Sequence, residues 1–470
     1  MVATLDGFDW FVLTYFLILN MAYLLLFSIA AVDFTRYFRR ARMAGHERMF
    51  SSPLTPGVSV IVPAFNEARS IVQSVHSMLA LDYPDLEVVV VDGGSTDDTF
   101  ECLRAEFGLV RSARRVPPVL PVTGAIASAH VTPGDDALVV VRKANARRRS
   151  DACNAGLSAA RKPLVCMVDA DSMLDSRALL RVVKPFVDDP GRVVASGGVV
   201  RVGNGATIDD RGRLLDLVMP GSWLARIQVV EYLRALLLGR TGWARLNALI
   251  IISGASACSA AIWCSRSADS TWNPSARTAS WSPASTGSCA GRGAKYRIAF
   301  VAEPVCWTEV PFTLADLGSQ RIRWSRGLAQ VLRKHRGMIG NPRYGLIGLL
   351  ALPYYLAFEA LGAAVELVGL AAVAAGLAVG VVNVPFAILF ALSALVLGLV
   401  MSVAAVAIEE WSFHRYRRWR DLGLIMAAAL VENLGYRQLH AWWRCRGLLQ
   451  ELTGRRAGWD ALHRGGFERG

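Results

Sequence analysis

The chain has 470 residues, 53% of them hydrophobic, with 51 Lys and Arg against 38 Asp and Glu for a formal charge of +13, and its mean hydropathy is +0.35. Such a length exceeds one small core and such an apolar content argues against a wholly soluble protein, so a catalytic domain accompanied by membrane segments is expected. A basic excess in a chain of this kind marks cytoplasmic loops and contacts with anionic lipid or nucleotide, and nucleic acid is not an expected partner.

The eight cysteines form no CxxC pair and the seven histidines show no metal-ligand spacing, so neither a zinc site nor a disulfide framework is expected and a reduced, cytosol-facing catalytic part fits. Residues 10–32 are apolar and uncharged, which is membrane-span length. Asp6 and Asp9 precede them and Arg36, Arg39, Arg40 and Arg42 follow. The positive-inside rule therefore puts the start outside and the next segment in the cytoplasm. The segment lacks a basic leader and is long enough to span, so it reads as an anchor helix and not as a cleavable signal.

Beyond a Pro/Ser-containing linker at 51–57, strand and helix signals alternate. Strands are expected at 58–62, 86–91, 137–141, 164–168 and 193–202, and helices at 68–81, 96–107 and 151–160. The Pro- and Gly-interrupted residues 111–136 read as an excursion. Alternation of this kind implies a mostly parallel, doubly wound α/β sheet.

Four places carry chemistry. Asp92 ends a strand and enters a Gly93-Gly94-Ser95-Thr96-Asp97 turn at a helix start, where backbone N–H groups and a carboxylate can approach a nucleotide; a plain helix cap would look the same. Lys143 to Arg149 ends in Arg147-Arg148-Arg149, which could neutralise a diphosphate or form a solvated basic face. Asp151 and Asn154 open the following helix. The strand at 164–168 then delivers Asp169-Ala170-Asp171 to its own carboxyl end, where ligands of open α/β sheets bind. Two carboxylates so close repel unless they share a cation, and hard oxygen ligands suit Mg²⁺ or Mn²⁺ bridging nucleotide phosphates. The alternative is that Ser172 or Asp175 caps the next helix and the acids face water.

Taken in order, Pro63-Ala64-Phe65-Asn66-Glu67, Asp92 with its turn, Asp151 with Asn154, Asp169-Ala170-Asp171, Ser196-Gly197-Gly198 with Arg201, Trp307-Thr308-Glu309-Val310-Pro311 and Gln320-Arg321-Ile322-Arg323-Trp324 resemble the family 2 glycosyltransferases. The resemblance is to the membrane-integrated synthases of the cellulose, hyaluronan, chitin and poly-N-acetylglucosamine type. It implies a GT-A type nucleotide-sugar transferase domain inserted between transmembrane helices, multi-pass in the inner or plasma membrane with its catalytic domain cytoplasmic. It further implies an inverting, processive transfer from a UDP-sugar to a growing β-linked polysaccharide, with the bilayer and a carbohydrate acceptor as partners and accessory subunits unspecified. Pro63, Asn66, Glu67, Asp92, Arg149, Asp151, Asn154 and Asp169 would bind the donor. Asp169 and Asp171 would hold Mg²⁺ or Mn²⁺, and Gln320, Arg323 and Trp324 would form the acceptor and diphosphate site. Two residues depart from the pattern: Gly93 stands where many relatives have Asp, and Arg149 where lysine is common, which changes the geometry of the charge. The alternatives are a non-processive transferase to a lipid carrier and a membrane protein that binds nucleotide or polymer but has lost turnover.

Residues 326–336 mix Leu and Val with basic residues and read as an interfacial amphipathic helix. Residues 346–381 form a long or broken apolar span containing Glu359 and Glu366, 386–408 a further span, and 422–434 an interfacial or poor one. The implied domains are an anchor helix at 1–33, a cytoplasmic transferase domain at 34–340, membrane and interfacial helices at 341–448 and a tail at 449–470.

One stretch breaks the texture. Residues 256–289 hold ten serines, Trp263, Trp272 and Trp281, three of the eight cysteines and no leucine or valine. Here the family carries a Gly/Thr-Glu-Asp motif whose Asp is the general base, yet the only acid present is Asp269. Every tryptophan codon read one nucleotide earlier ends in TG and encodes Leu, Met or Val, so a reading-frame slip explains both the surplus and the deficit. A slip predicts an irregular segment, intact donor binding and impaired turnover; the alternative is a genuine Ser-rich loop.

Overall fold

The computed structural model describes residues 2–41, 52, 54–113, 116–117, 120–145, 149–209, 214–252, 257–260, 296–380, 384–413, 419–454 and 468–469. Arg147, Arg148, Asp269 and most of the Ser-rich stretch at 256–289 lie outside these residues.

Val58–Ala64 (β1), Leu86–Asp92 (β2), Asp135–Lys143 (β5) and Leu164–Met167 (β6) form the parallel centre of a sheet: β1 pairs with β2 and β6, and β2 with β5. Every residue of β1 is buried, as a strand covered on both faces requires. On one face Val58, Val60, Val62, Val88 and Val90 pack with Ile71 and Val75 of the helix Ile71–Leu79 (α2) and Phe100 and Leu103 of Thr99–Phe107 (α3). On the other, Ile61, Val89, Val91 and Val165 meet Ala152 and Ala155 of Arg149–Ala159 (α4). Gly156 sets that approach, since a Cβ there would stand 2.4 Å from Cγ2 of Ile61.

The outer strands are mixed in direction. The excursion at 111–136 contains an antiparallel edge, Val110–Arg111 (β3) on Ile126–Thr132 (β4), with β4 antiparallel to β5. Polar alternation and the Pro-Gly turn hid it. Beyond β6 lie Ala257–Ala260 (β11), Val193–Val202 (β8), Arg297–Thr308 (β12) and Ser172–Leu174 (β7), in the order β3-β4-β5-β2-β1-β6-β11-β8-β12-β7. The β11 strand corrects an expectation. Irregularity was expected from Ser256, but Ala257–Ala260 runs antiparallel between β6 and β8, with Cys258 opposite both Cys166 and Ser196. Residues 261–295 lie outside the described residues, so the expected irregularity there is not addressed.

The remaining elements are helical. Val2–Ala41 (α1) runs past the expected end of the anchor, and it crosses Arg240–Arg245 at Gly242, where a Cβ would lie 2.8 Å from the Leu26 carbonyl oxygen. The signature Gln320 to Trp324 and the amphipathic stretch after it are one helix, Leu314–Lys334. Thr313 caps it by accepting the Asp316 N–H at 3.1 Å. Broken turns at Ile347–Ala360 lead into Gly362–Val379, followed by Val384–Phe413 and Trp419–Val431. The chain kinks at Leu434 and Gly435, whose φ is 84°, before Arg437–Leu452, so the expected boundary at 448 falls inside a helix. Among the described residues two helices, Trp10–Arg36 and Ile347–Val379, are long and apolar enough to cross a membrane, with mean hydropathies of 2.1 and 2.0.

Candidate active site

The strand order reverses beside β1, whose neighbours β2 and β6 continue to opposite sides, and a crevice at such a switch point receives the ligand of an open α/β sheet. Pro63 is buried in β1. Past Ala64, Asn66 takes a left-handed conformation with φ of 56°, which asparagine tolerates better than most residues. Its Oδ1 accepts the Thr96 N–H at 2.8 Å, its Nδ2 donates to Thr96 Oγ1 at 3.1 Å, and its N–H donates to Ser95 Oγ at 3.1 Å. The Glu67 N–H donates to Thr99 Oγ1 at 2.9 Å and the Ala68 N–H to Asp97 Oδ2 at 3.2 Å. These bonds join the loops after β1 and β2 into one rim.

Asp92 stands under that rim, 1% exposed. Its Oδ1 accepts the Ser95 N–H at 2.9 Å and its Oδ2 lies 3.5 Å from Arg142 Nε. Arg142 in turn lies 4.0 Å over the Phe100 ring. Gly94, at φ of 80°, lets Asn145 close over the turn: a Cβ would stand 2.7 Å from the Asn145 nitrogen.

Asp151 and Asn154 face inward. Both are fully buried; Asp151 meets Lys143 Nζ at 2.6 Å and accepts N–H bonds from Thr123 at 2.6 Å and Gly124 at 3.3 Å. Asn154 Nδ2 donates to the Pro121 carbonyl at 2.7 Å. Burial opposes the Asp151 charge, but Lys143 and the two N–H groups outweigh it and hold the carboxyl below its usual range. The geometry makes these two residues braces for the loop at 120–125.

At the end of β6 the chain turns so that the Ser172 N–H donates to the Asp169 carbonyl at 3.0 Å. The Asp169 side chain is 38% exposed and ion-paired to the largely buried Arg149. Asp171 is 5% exposed, and Ser172 Oγ donates to its Oδ1 at 3.4 Å. Burial works against the Arg149 charge, yet Asp169 and Asp171 keep its pKa above the ordinary arginine value. Among the described residues no group of three or more His, Cys, Asp or Glu converges. Two hard carboxylates one residue apart nevertheless suit a divalent cation that takes its other ligands from phosphate and water. Asp175, offered as a helix cap, accepts the Arg177 N–H at 3.1 Å and the Arg181 guanidinium at 2.9 Å.

The residues expected at the acceptor lie on another element. Ser172 to Leu174 pair with Thr308 to Cys306, and the chain then passes from β12 into Leu314–Lys334. On that helix Trp324 is 49% exposed, Arg323 is half-buried, and Gln320 buries its Oε1 with no partner among the described residues. Sequence reasoning missed Arg321, between them, which is 3% exposed and bonded to Glu231 at 2.7 Å. It also missed the partners of Arg201 and Arg234, namely Glu409 and Glu432 of the C-terminal helices. Glu359 and Glu366, left without a role, pair with Arg444 and Arg437.

A profile of the glycosyltransferase-like family 2 matches residues 56–327, more than half of the chain. The chain belongs to this family. As a family 2 transferase it is 24% identical over 283 residues to the poly-β-1,6-N-acetyl-D-glucosamine synthases of Staphylococcus aureus (strain COL) and Staphylococcus epidermidis, covering 59% of this chain and 55% of theirs. It thus spans about half the length of the curated relatives it matches. Among solved structures, a mannosyltransferase from Pyrobaculum calidifontis in complex with GDP-Man and Mn²⁺ is similar with a TM-score of 0.49, at 19% identity over 95% of this chain and all of that one. Glucosyl-3-phosphoglycerate synthase from Mycobacterium tuberculosis, with Mn²⁺ and UDP-glucose, follows at a TM-score of 0.36 and 16% identity, over 62% of this chain and 83% of that one.

Proposed function

We propose that this family 2 glycosyltransferase takes a UDP-sugar and extends a β-linked polysaccharide processively at the cytoplasmic face of a membrane it crosses several times. The observation that carries the reading is the charge set at the end of β6: a partly exposed Asp169, a buried Asp171 and a largely buried Arg149. Asp92, under the joined rim, offers a carboxylate toward base and ribose. Asp169 and Asp171 would hold Mg²⁺ or Mn²⁺, which when bound neutralises diphosphate charge as UDP leaves. Arg149 supplies a fixed guanidinium beside the same group. Trp324 presents an indole face to the acceptor, and Gln320 an oxygen that has no partner among the described residues and can accept from a sugar hydroxyl. The two apolar helices support the membrane reading, and the arginines after the first one support a cytoplasmic catalytic domain.

The test is calorimetry of UDP with Mn²⁺. Asp169→Ala and Asp171→Ala should each abolish metal-dependent binding, and retained binding in both would sink the donor-site assignment. Topology is checked by labelling Cys102, a partly exposed thiol, in intact cells; labelling from the outer face would refute the proposed orientation.

A further inference from the structure

We propose that Arg321, at a position between the signature's glutamine and arginine, is a positioning residue that holds the Trp324 indole in the one orientation an acceptor sugar can use. The inference rests on reading Trp324 as the acceptor platform. Arg321 and Trp324 are three residues apart on Leu314–Lys334 and so face the same side of neighbouring turns. The Arg321 guanidinium carbon lies 4.4 Å from the indole centroid. The cation is buried at 3% exposure while the ring it supports is 49% exposed. One indole face is therefore occupied and the other open.

Arg321 does not float under the ring. Its Nη2 meets Glu231 Oε2 at 2.7 Å, the same oxygen accepts the Tyr436 hydroxyl at 3.2 Å, and His440 Nε2 stands 3.8 Å from the other carboxylate oxygen. The Tyr436 and His440 rings are stacked at 4° and 6.2 Å. Ser325 Oγ donates to the Arg444 carbonyl at 2.7 Å, fixing the signature helix on Arg437–Leu452. A cation under the π-face attracts the ring most strongly where water is excluded. An exposed indole without such a floor would sample several rotamers, and the sugar would have to order it on binding. Glu231 neutralises Arg321, so Arg321 offers no free charge to a diphosphate. Its effect passes through Trp324, and residues of the C-terminal segment set it.

Full-length protein labelled with 5-fluorotryptophan, in nanodiscs, tests this. The Trp324 fluorine resonance is assigned by its loss in Trp324→Phe. Arg321→Gln and Glu231→Gln should move that resonance toward the solvent-averaged position, Tyr436→Phe should move it partway, and Arg321→Lys should restore most of the parent shift. Titration with a β-1,6-linked N-acetylglucosamine pentasaccharide should show affinity reduced about five- to tenfold in Arg321→Gln, with UDP–Mn²⁺ affinity unchanged. A resonance unmoved in both Glu231→Gln and Tyr436→Phe would overturn the proposal, even if Arg321→Gln failed to fold. A parent resonance that ignores the pentasaccharide would instead remove the acceptor reading of Trp324, leaving the Arg321 contact to be judged on the variant shifts alone.

Discussion

The two sides of this transferase are held together by different physics. On the nucleotide side, polar groups are tied by bonds within and between consecutive loops: Asn66 to Thr96, Asp92 to Ser95, Asp151 to Thr123. Toward the helical half, buried ion pairs join residues far apart in the chain: Arg201 to Glu409 across 208 positions, Arg234 to Glu432 across 198, Arg321 to Glu231 across 90. The first arrangement forms once the parallel strands align, because each strand end brings its own loop. The second needs distant elements already docked, and for Arg201 and Arg234 these are the C-terminal helices. Donor binding should therefore survive damage to the helical half that transfer does not.

The Ser-rich segment gives the widest separation between the two. A version with residues 256–289 rewritten in the neighbouring frame should transfer sugar about a hundred- to ten-thousand-fold faster, the usual contribution of a general base, while donor binding stays the same. Equal rates for the two proteins would mean that the chain as written deprotonates its acceptor by another residue.

Next come the buried pairs. Arg201 is 3% exposed and Glu409 fully buried, so Glu409→Ala takes the carboxylate from a buried cation and should cost about 3–5 kcal/mol. Replacing both, as Arg201→Met with Glu409→Leu, should be close to neutral in stability. Thermal unfolding in detergent checks both; a mild single variant would show that the helices dock without this pair. UDP–Mn²⁺ affinity measured below the melting point should be the same in all three proteins.

A smaller, pH-dependent effect belongs to the sheet, at the strand starts opposite Asp92. Burial opposes the Glu87 charge, but Ser59 at 2.6 Å and the backbone and side-chain N–H groups of Arg161 at 3.0 and 2.8 Å outweigh it and lower its pKa. A carboxyl with a folded value below its unfolded one stabilises fully above the unfolded value and loses that contribution as pH falls through the folded one. The melting-temperature gap between the parent and Glu87→Gln should thus be widest near neutrality and close in acid. A gap independent of pH would assign the effect to packing alone. Smallest is the exposed Lys162–Asp85 pair: Asp85→Ala should change stability by less than about 1 kcal/mol.

Most of the catalytic sheet was readable because a strand buried on both faces announces itself as an apolar run. The ranges expected at 58–62, 86–91 and 193–202 agree with β1, β2 and β8 to within two residues at each end. The edge strand Ile126–Thr132 was not readable, since an edge exposed on one side carries no such run. Nor was β11: alanine, cysteine and serine have little strand preference of their own, and Ala257–Ala260 is a strand because β6 and β8 leave a slot between them.

For the site, sequence alone supplied which carboxylates exist and at which strand ends they emerge, since adjacency in the chain fixes Asp169 to Asp171 and Asp92 to its turn. Tertiary structure decided which of them face inward. Sequence alone did not show that Asp151 is buried against Lys143 or that Asn154 donates to the Pro121 carbonyl. Tertiary structure also decided the partners of Arg201, Arg234 and Arg321, because a charge in one segment does not reveal which carboxylate, one or two hundred residues away, will share its burial. Periodicity encodes what a residue does relative to its own element; only docking of the elements determines which buried charge meets which.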